Sequence, residues 1–218
     1  MNRAVLAVAV GVILGGMTGC STLSPQIALT PQPTLSPPSA VTAVPAAQTP
    51  LRTVHTPAVV VVDEQLSAGE CHARTVDATR GDYLPDAACT PGAIDPAVSQ
   101  ADIQQTICVR GYTATVRPPA AATGRFKSIS YAAYSEQYST TTELDHLVPL
   151  ELGGASSASN LWVEPNRTLA SSFNNPKDKV ENSLHAAVCN GTVTLAAAQN
   201  AIAADWTTAL AALHLGAG

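Results

Sequence analysis

The residues with the clearest chemical potential lie between Thr142 and Pro165. An acid and an imidazole stand next to each other there, at Asp145 and His146, and an amide follows at Asn160. An imidazole gains or loses a proton near pH 7, and a carboxylate is a hard oxygen ligand for cations. These residue types favour a site that transfers a proton or binds a cation, provided that the surrounding elements bring them together.

The sequence around these residues predicts a strand, a loop, a second strand and a helix. Residues 140–148 have strand-like composition, Pro149 ends that strand, and the Gly153-Gly154 pair forms a loop. Residues 161–163 then return as a second short strand. A helix is predicted over 176–188, with a proline in its first turn. The predicted order of elements is therefore ββα.

This stretch resembles the HNH, or His-Me finger, endonucleases. In that family the first strand carries an Asp-His pair followed by Val-Pro-Leu and a Gly-Gly loop, and an Asn precedes the second strand. The matching runs here are D-H-L-V-P-L-E-L-G-G from Asp145 and S-N-L-W from Ser159. The motif covers about 45 residues and is specific in its order and spacing. The larger span from Cys89 to Trp206 resembles exported bacterial proteins with an HNH-like domain.

The resemblance implies a role for each matching residue. His146 is expected to be the general base that takes a proton from the water attacking a phosphodiester. Asp145 is expected to bind one divalent metal ion, which stabilises the developing charge and the leaving oxygen. Mg²⁺ is the expected ion, with Mn²⁺, Zn²⁺ and Ni²⁺ as alternatives. Asn160 is expected to hold the loop and to orient His146, and not to perform chemistry itself.

The family also places a metal ligand on the helix, and here the sequence leaves several candidates. An insert over residues 166–175 departs from the shortest family pattern. Helical geometry puts Glu181, Asn182 and His185 on one polar arc, away from the apolar stripe of the helix. His185 is the favoured ligand and Asn182 the next. Lys177 is expected on the phosphate side of the site.

Each of these helix residues also has a purely structural interpretation. Lys177 and Glu181 have the spacing of an ordinary i,i+4 surface pair. His185 borders the apolar stripe, so it can equally be a histidine at a packing interface. The sequence does not decide between these alternatives.

Phosphate binding requires basic residues, and four of them occur in a stretch without acidic residues: Arg110, Arg117, Arg125 and Lys127. If this stretch lies beside the ββα unit, it supplies a basic edge despite the net charge of −5. The alternative is a solvated loop. Because no base-reading motif is present, contacts to phosphates and nonspecific cleavage of DNA or RNA are expected.

The N-terminus predicts export from the cytoplasm. Arg3 precedes an apolar run over residues 4–14 that is too short for a transmembrane helix, and small residues then lead to Cys20. This arrangement resembles the lipobox of bacterial lipoproteins, with Met17 at a position usually held by Leu. Residues 1–19 are therefore predicted to be a signal peptide. A lipidated Cys20 would anchor the protein to a membrane of the cell envelope, and an ordinary secretory signal is the alternative.

Cysteine usage agrees with export. Four cysteines remain besides Cys20, namely Cys71, Cys89, Cys108 and Cys189. An even number in an exported chain predicts two disulfides, with three pairings that the sequence leaves open. There is no C-x-x-C spacing, so a zinc site built from cysteines is not predicted.

The chain is predicted to consist of a tether and one folded domain of the α+β class. Residues 20–65 are rich in Pro, Thr and Ala and predict a disordered tether. Residues 66–218 predict a small domain in which flanking helices surround a ββα-metal unit.

The flanking elements are predicted from local pattern. Spacing predicts a helix over 96–108, alternation predicts a strand over 112–116, and residues 120–128 are predicted to be a loop after two prolines. A C-terminal helix is predicted from Leu195 to Leu213, with Thr194 as its N-cap.

The leading functional hypothesis is a metal-dependent phosphodiester hydrolase, an HNH endonuclease that acts on DNA or RNA outside the cytoplasm. The alternative is a noncatalytic envelope lipoprotein that uses a degenerate HNH fold as a binding module. A hydrolase of wall polysaccharide has thin support, since no carboxylate pair is marked by its sequence context. No motif points to a particular protein partner.

Overall fold

The structure is a computed structural model that describes residues 50–172 and 176–216. Its strands are β1 (Arg52–Thr53), β2 (Arg74–Asp77), β3 (Asp82–Leu84), β4 (Ala93–Ile94), β5 (Glu143–His146) and β6 (Leu161–Glu164). Its helices are α1 (Tyr112–Val116), α2 (Ala120–Ala133), α3 (Lys177–Cys189), α4 (Leu195–Asp205) and α5 (Ala209–Ala212), with a short 3₁₀ turn at Leu150–Leu152. The predicted signal peptide and Cys20 lie outside the described residues.

The described strands pair into three small two-stranded sheets. β1 pairs with β4 in parallel, whereas β2–β3 and β5–β6 are antiparallel hairpins. Together with α3, the β5–β6 hairpin gives the strand–strand–helix order that the sequence predicted. The mixed α+β class is therefore confirmed, while the assignment of this unit to the HNH family remains a prediction.

The loop inside the β5–β6 hairpin depends on its two glycines. Gly153 has φ of +71°, a conformation that residues with a side chain rarely adopt. At Gly154 an added Cβ would lie 1.7 Å from the carbonyl oxygen of Val148. The Gly-Gly pair is therefore required for the chain to turn back tightly between the two strands.

The main core lies between α3, α4, α5 and the turns over residues 95–108. Leu184, Ala187 and Val188 of α3 are buried, as their 3.6-residue spacing predicts. Leu184 and Val188 pack with Ile202 and Trp206 and the other members of one apolar cluster. This core fixes the position and the rotation of α3 against the hairpin.

Two disulfides confirm the count that the cysteines predicted and settle the pairing. Cys71 bonds to Cys89, and Cys108 bonds to Cys189 at the end of α3. They indicate an oxidising environment outside the cytoplasm. Within residues 50–172 and 176–216 no helix is both long enough and apolar enough to cross a membrane.

The elements predicted between residues 96 and 133 need correction. Residues 112–116 form helix α1 and not a strand. The alternation of polar and apolar residues was misleading, because none of these five residues is buried and no strand face packs on a core. Residues 120–128 are the first part of α2 and not a loop. Two prolines precede that helix, where they cost no hydrogen bond, so they mark its start and not a break. Residues 96–108 form successive turns and not an α-helix, with i,i+3 hydrogen bonds and one bond from the Cys108 amide to the Ile103 carbonyl.

The predicted C-terminal helix is divided into α4 and α5. Thr194 caps α4 as predicted, since its side chain accepts a hydrogen bond from the Ala197 amide at 3.2 Å. The break follows Asp205, whose side chain accepts bonds from both the amide and the hydroxyl of Thr207. Such local side-chain bonds compete with the helical pattern.

The folded part begins before residue 66. β1 pairs with β4, and the Val61 amide donates to the Ser156 carbonyl at 2.9 Å. The side chain of Asp63 accepts hydrogen bonds from both the amide and the hydroxyl of Ser159. A Pro-rich segment cannot form a helix, but an extended backbone can still pair along an existing edge.

Candidate functional site

The side chains of β5 point to two different faces of the hairpin. Successive residues of a strand alternate between faces. Leu144 packs with Phe126 of α2, and His146 lies on the same side. Asp145 faces α3 instead, where its Oδ2 lies 2.6 Å from the Lys177 Nζ. The adjacent acid and imidazole therefore belong to two separate environments.

The first environment is a surface pocket of about 330 Å³, named here the histidine pocket. It is lined by Arg117, Pro118, Ala120, Thr123, Gly124, Lys127, Leu144, His146 and Leu161. His146 is only 6% exposed, and its Nε2 lies 2.9 Å from the hydroxyl oxygen of Ser156. Ser156 is fully buried and held in turn by Thr56 through its amide at 3.1 Å. The hydrogen bond to Ser156 thus holds the imidazole in place, and Thr56 holds Ser156.

Burial lowers the pKa of His146 to about 4. The charge of Asp145 acts in the opposite direction, while Arg117 and Lys177 lower the pKa further. The ring is therefore neutral at pH 7 and able to accept a proton. A base with so low a pKa is a weak one, and an anion in the pocket would strengthen it by raising that pKa.

Two cations border the histidine pocket. Arg117 is exposed between α1 and α2. Lys127 is half-buried, donates to the Thr142 carbonyl at 2.6 Å and lies 5.7 Å from the centre of the Tyr131 ring. Burial lowers the pKa of Lys127, against the opposing charge of Glu143. Both side chains border the one opening that His146 lines, so the pocket suits an anionic ligand.

Asn160 fixes the loop between the two strands. Its Oδ1 accepts from the amides of Val148 and Ala93, at 2.9 and 3.2 Å. Its Nδ2 donates to the carbonyls of Val148 and Ala155, at 2.9 and 2.8 Å. The fully buried amide thus uses its hydrogen-bonding capacity on the backbone. Its contacts are structural and leave no group for proton transfer.

The second environment is a group of acids, named here the carboxylate cluster, formed by Glu143, Asp145 and Glu164. Their ligand oxygens lie within 4.8 Å of one another. The strand register explains the grouping, because Glu143 is paired with Glu164 and lies two residues before Asp145. All three therefore lie on one face of the hairpin, where Asp145 meets Lys177 of α3.

Lys177 connects this cluster to α3. Its side chain is 1% exposed, and its Nζ donates to Asp145, to the His146 carbonyl at 2.8 Å and to Glu181. Burial alone would lower the pKa of Lys177, but the charges of Asp145 and Glu181 outweigh it and raise the pKa. Lys177 is an ammonium at any physiological pH. Carboxylates and a carbonyl surround it, and its predicted contact with phosphate stays a prediction.

Burial raises the pKa of every acid on this face, but the net shift differs with the neighbouring charges. For Asp145, the charge of Lys177 outweighs burial and lowers the pKa. Burial and the charge of Asp145 raise the pKa of Glu143 to about 7 and that of Glu164 well above its ordinary value. Burial is also the largest cause that raises the pKa of Glu181, to about 8. The ammonium of Lys177, together with that of Lys127 beside Glu143, therefore does not compensate all of these carboxylates.

Of the predicted helix ligands, the structure brings Glu181 near Asp145, on the same Lys177 ammonium, but not His185 or Asn182. His185 Nε2 lies 2.9 Å from the Ile107 carbonyl, beside Cys108 and Cys189. These two sulfurs are joined in a disulfide, so they cannot act as thiolate ligands with His185. Asn182 is exposed and donates to the Asp178 carbonyl at 2.6 Å. The structural interpretation of His185 is the one that its contacts support.

The remaining basic residues are dispersed. Of the four predicted to contact phosphate, Arg117 and Lys127 meet at the histidine pocket. Arg125 lines a different hollow, beside Val60 and Val62. Arg110 is exposed just before α1.

Sequence reasoning missed Ser156, Glu143 and Glu164. The position of Glu143 carried a usable signal, because a residue two before Asp145 on a strand shares its face. Ser156 and Glu164 carried none, since their proximity depends on the loop path and on the strand register.

Comparison of the chain with protein-family models, with curated proteins and with solved structures finds no match in any of the three. The likeness to HNH endonucleases therefore rests on the motif alone.

Proposed function

We propose that this protein is a phosphodiester hydrolase of the HNH type that cleaves DNA or RNA without sequence preference, outside the cytoplasm. One observation carries the proposal. His146 is neutral, is held by Ser156 and lines a pocket that Arg117 and Lys127 also line. A fixed neutral base beside two cations is the combination that hydrolysis of an anionic ester requires.

In this proposal, the cations of the pocket bind the substrate and His146 transfers the proton. Arg117 and Lys127 attract and orient the phosphate diester. With its Nε2 hydrogen-bonded to Ser156, His146 uses the other ring nitrogen to take a proton from a water. The oxygen of that water forms a bond to phosphorus, the bond to one ester oxygen breaks, and the departing oxygen receives a proton from solvent. The imidazolium that forms is stabilised by the neighbouring charge of Asp145.

The divalent ion implied by the resemblance does not fit the predicted ligand set. Glu181 is bonded to Lys177, His185 to the Ile107 carbonyl, and Asn182 projects to solvent. The hydrolytic steps above are therefore assigned to side chains of the chain alone. A metal requirement remains a prediction, with Mg²⁺ as the expected ion, and the cleavage assay tests it.

The test is cleavage by the purified protein with both disulfides formed. Plasmid DNA and a single RNA are incubated with it in Mg²⁺, in Mn²⁺ or in EDTA, beside the variants His146→Ala and His214→Ala. His214 is exposed and remote from the pocket in sequence, so its variant is the matched control. We expect cleavage by the wild type and the control only. Equal cleavage by His146→Ala would refute the role of His146.

The second candidate is a binding module without catalysis. The observation that favours it is the low pKa of His146, which makes a weak base. This candidate predicts that a labelled oligonucleotide binds in a salt-dependent manner, that His146→Ala binds equally well, and that the folded protein cuts no substrate in any metal.

We also propose that Cys20 is lipidated and anchors the protein in the cell envelope. The two disulfides support export. Metabolic labelling with a radioactive fatty acid tests the anchor: label is expected in the wild type and not in Cys20→Ser.

A further inference from the structure

The face of β5–β6 that the Lys177 side chain of α3 reaches contains more negative than positive groups. Four acids, Glu143, Asp145, Glu164 and Glu181, lie within electrostatic reach of the Lys177 ammonium, and Glu143 is also within reach of the Lys127 ammonium. Carboxylates that are removed from water need a counter-charge, or they destabilise the fold. Lys177 and Lys127 supply two positive charges for four acids, so a further cation would be accommodated on electrostatic grounds.

The oxygens of the carboxylate cluster have a spacing that suits one ion. Hard divalent cations bind oxygens at 2.0–2.6 Å, which places oxygens on opposite sides of the ion roughly 4–5 Å apart. The ligand oxygens of Glu143, Asp145 and Glu164 all lie within 4.8 Å of one another. Carboxylates are also the ligands that such ions prefer over sulfur or imidazole.

Glu164 provides an independent indication of a ligand. The residue has no solvent exposure, and both of its carboxylate oxygens lack a hydrogen-bond donor among the described residues. The carboxylate of Asp145 lies close enough to hydrogen-bond to Glu164 when one of the two groups is protonated. Two carboxylates attract each other only through something positive between them, either a proton or a cation. A buried group without a donor is otherwise costly.

Lys177 determines which acids are available. It bonds to Glu181 and so engages the carboxylate that helix α3 would otherwise offer. On Asp145 it bonds to Oδ2. The Asp145 side chain is 19% exposed, so this proposed ligand is in contact with solvent, whereas Glu164 is fully buried.

We propose that the carboxylate cluster binds one hard divalent cation, such as Mg²⁺, Mn²⁺ or Ca²⁺, through Glu143, Asp145 and Glu164. The ligands come from the hairpin alone, and Lys177 of α3 lies beside the ion as a fixed counter-charge. The ion would lie on the face opposite the histidine pocket and would join the two strands. This site does not depend on phosphodiester cleavage, because ion binding is measured without nucleic acid.

The test is isothermal titration of the oxidised, EDTA-treated and dialysed full chain with Mn²⁺, Mg²⁺ and Ca²⁺, together with the electron paramagnetic resonance signal of free Mn²⁺. We expect one bound ion per chain. Glu164→Gln and Glu143→Gln should each weaken binding by about tenfold or more, since each removes a charged ligand. Asn182→Ala and His185→Gln alter the helix residues that the sequence favoured, and both should bind as the wild type does.

The variants keep the outcomes distinct. Circular dichroism and the unfolding midpoint establish that each variant is folded. Glu143 is partly exposed, so its variant decides the matter even if Glu164→Gln does not fold. Absence of binding by the folded wild type overturns the proposal, and so does binding that His185→Gln weakens but Glu143→Gln does not. A protein that binds the ion but cuts no substrate refutes the hydrolase proposal and leaves this one intact.

Discussion

The ammonium of Lys177 lies 2.6 Å from Oδ2 of Asp145, and this contact joins helix α3 to strand β5 at a buried position. The same nitrogen donates to the His146 carbonyl, so one side chain holds both residues of the Asp-His pair. The acid that the motif singles out is therefore already bonded to a cation that belongs to the chain. Several consequences can be measured.

Lys177→Met should destabilise the protein by about 3–5 kcal/mol, because it leaves buried carboxylates without their counter-ion. Lys179→Met is the matched control, since Lys179 is exposed on the same helix and should change stability by about 0.5 kcal/mol or less. Urea unfolding measures both. Equal stabilities would mean that Lys177 does not hold α3 to the hairpin.

Ser156→Ala should lower kcat by about tenfold to a hundredfold and leave KM nearly unchanged. The serine positions the imidazole of His146 without touching substrate, and a loosened base reacts more slowly. Single-turnover cleavage measures the chemical step. Ser128→Ala, at an exposed position of α2, is the control and should cleave at the wild-type rate. A change in KM alone would contradict the positioning role.

Arg117→Gln should raise the Kd for an oligonucleotide and reduce the slope of log K against log salt by about 1, because one phosphate contact is lost. Arg110→Gln removes the same charge at an exposed position that does not line the histidine pocket, so it should leave the slope unchanged. Fluorescence anisotropy at several salt concentrations distinguishes the two variants. If both behave alike, the pocket is not the phosphate site.

The stability of the protein should fall on acidification because of His146. Its folded pKa, about 4, lies below the ordinary value of 6.5, so between these pH values the unfolded chain binds a proton that the folded chain does not. This contribution is fully present above pH 6.5 and is lost as the pH falls toward 4, by about 3 kcal/mol in total.

Unfolding free energies measured in EDTA from pH 4 to 7, for the wild type and for His146→Gln, test this expectation. The difference between the two curves should shrink toward pH 4. A difference that stays constant over this range would show that His146 titrates normally in the folded protein.

Removal of the Cys108–Cys189 disulfide should cost more stability than removal of Cys71–Cys89. The sequence separations are 81 and 18 residues, so loop closure predicts losses of about 4–5 and about 3 kcal/mol. Paired Cys→Ser variants and thermal unfolding measure the two losses. The reverse order would show that strain or residual structure dominates over chain entropy.

Much of the hairpin could be predicted locally. The conformational restrictions of proline and glycine act only through neighbouring residues. Pro149 therefore marks the end of a strand, Gly153-Gly154 marks the loop, and Pro176 marks the start of the helix. The buried stripe of α3 followed from spacing for the same reason. Between residues 112 and 133 local patterns were wrong, because alternation and a proline pair fit a helix start as well as they fit a strand and its end.

The sequence by itself determined the ββα order, the presence of four disulfide-forming cysteines and the Asp-His pair, since each depends on neighbouring residues or on composition. Only the tertiary structure decided which groups meet. The register of β6 brought Glu164 to Asp145, and the rotation of α3 brought Lys177 there while it took His185 to the Ile107 carbonyl. A helical pattern gives the relative angles of side chains around an axis. Core packing between residues far apart in the chain sets the rotation of α3 about its axis, and so determines which of its side chains face the hairpin.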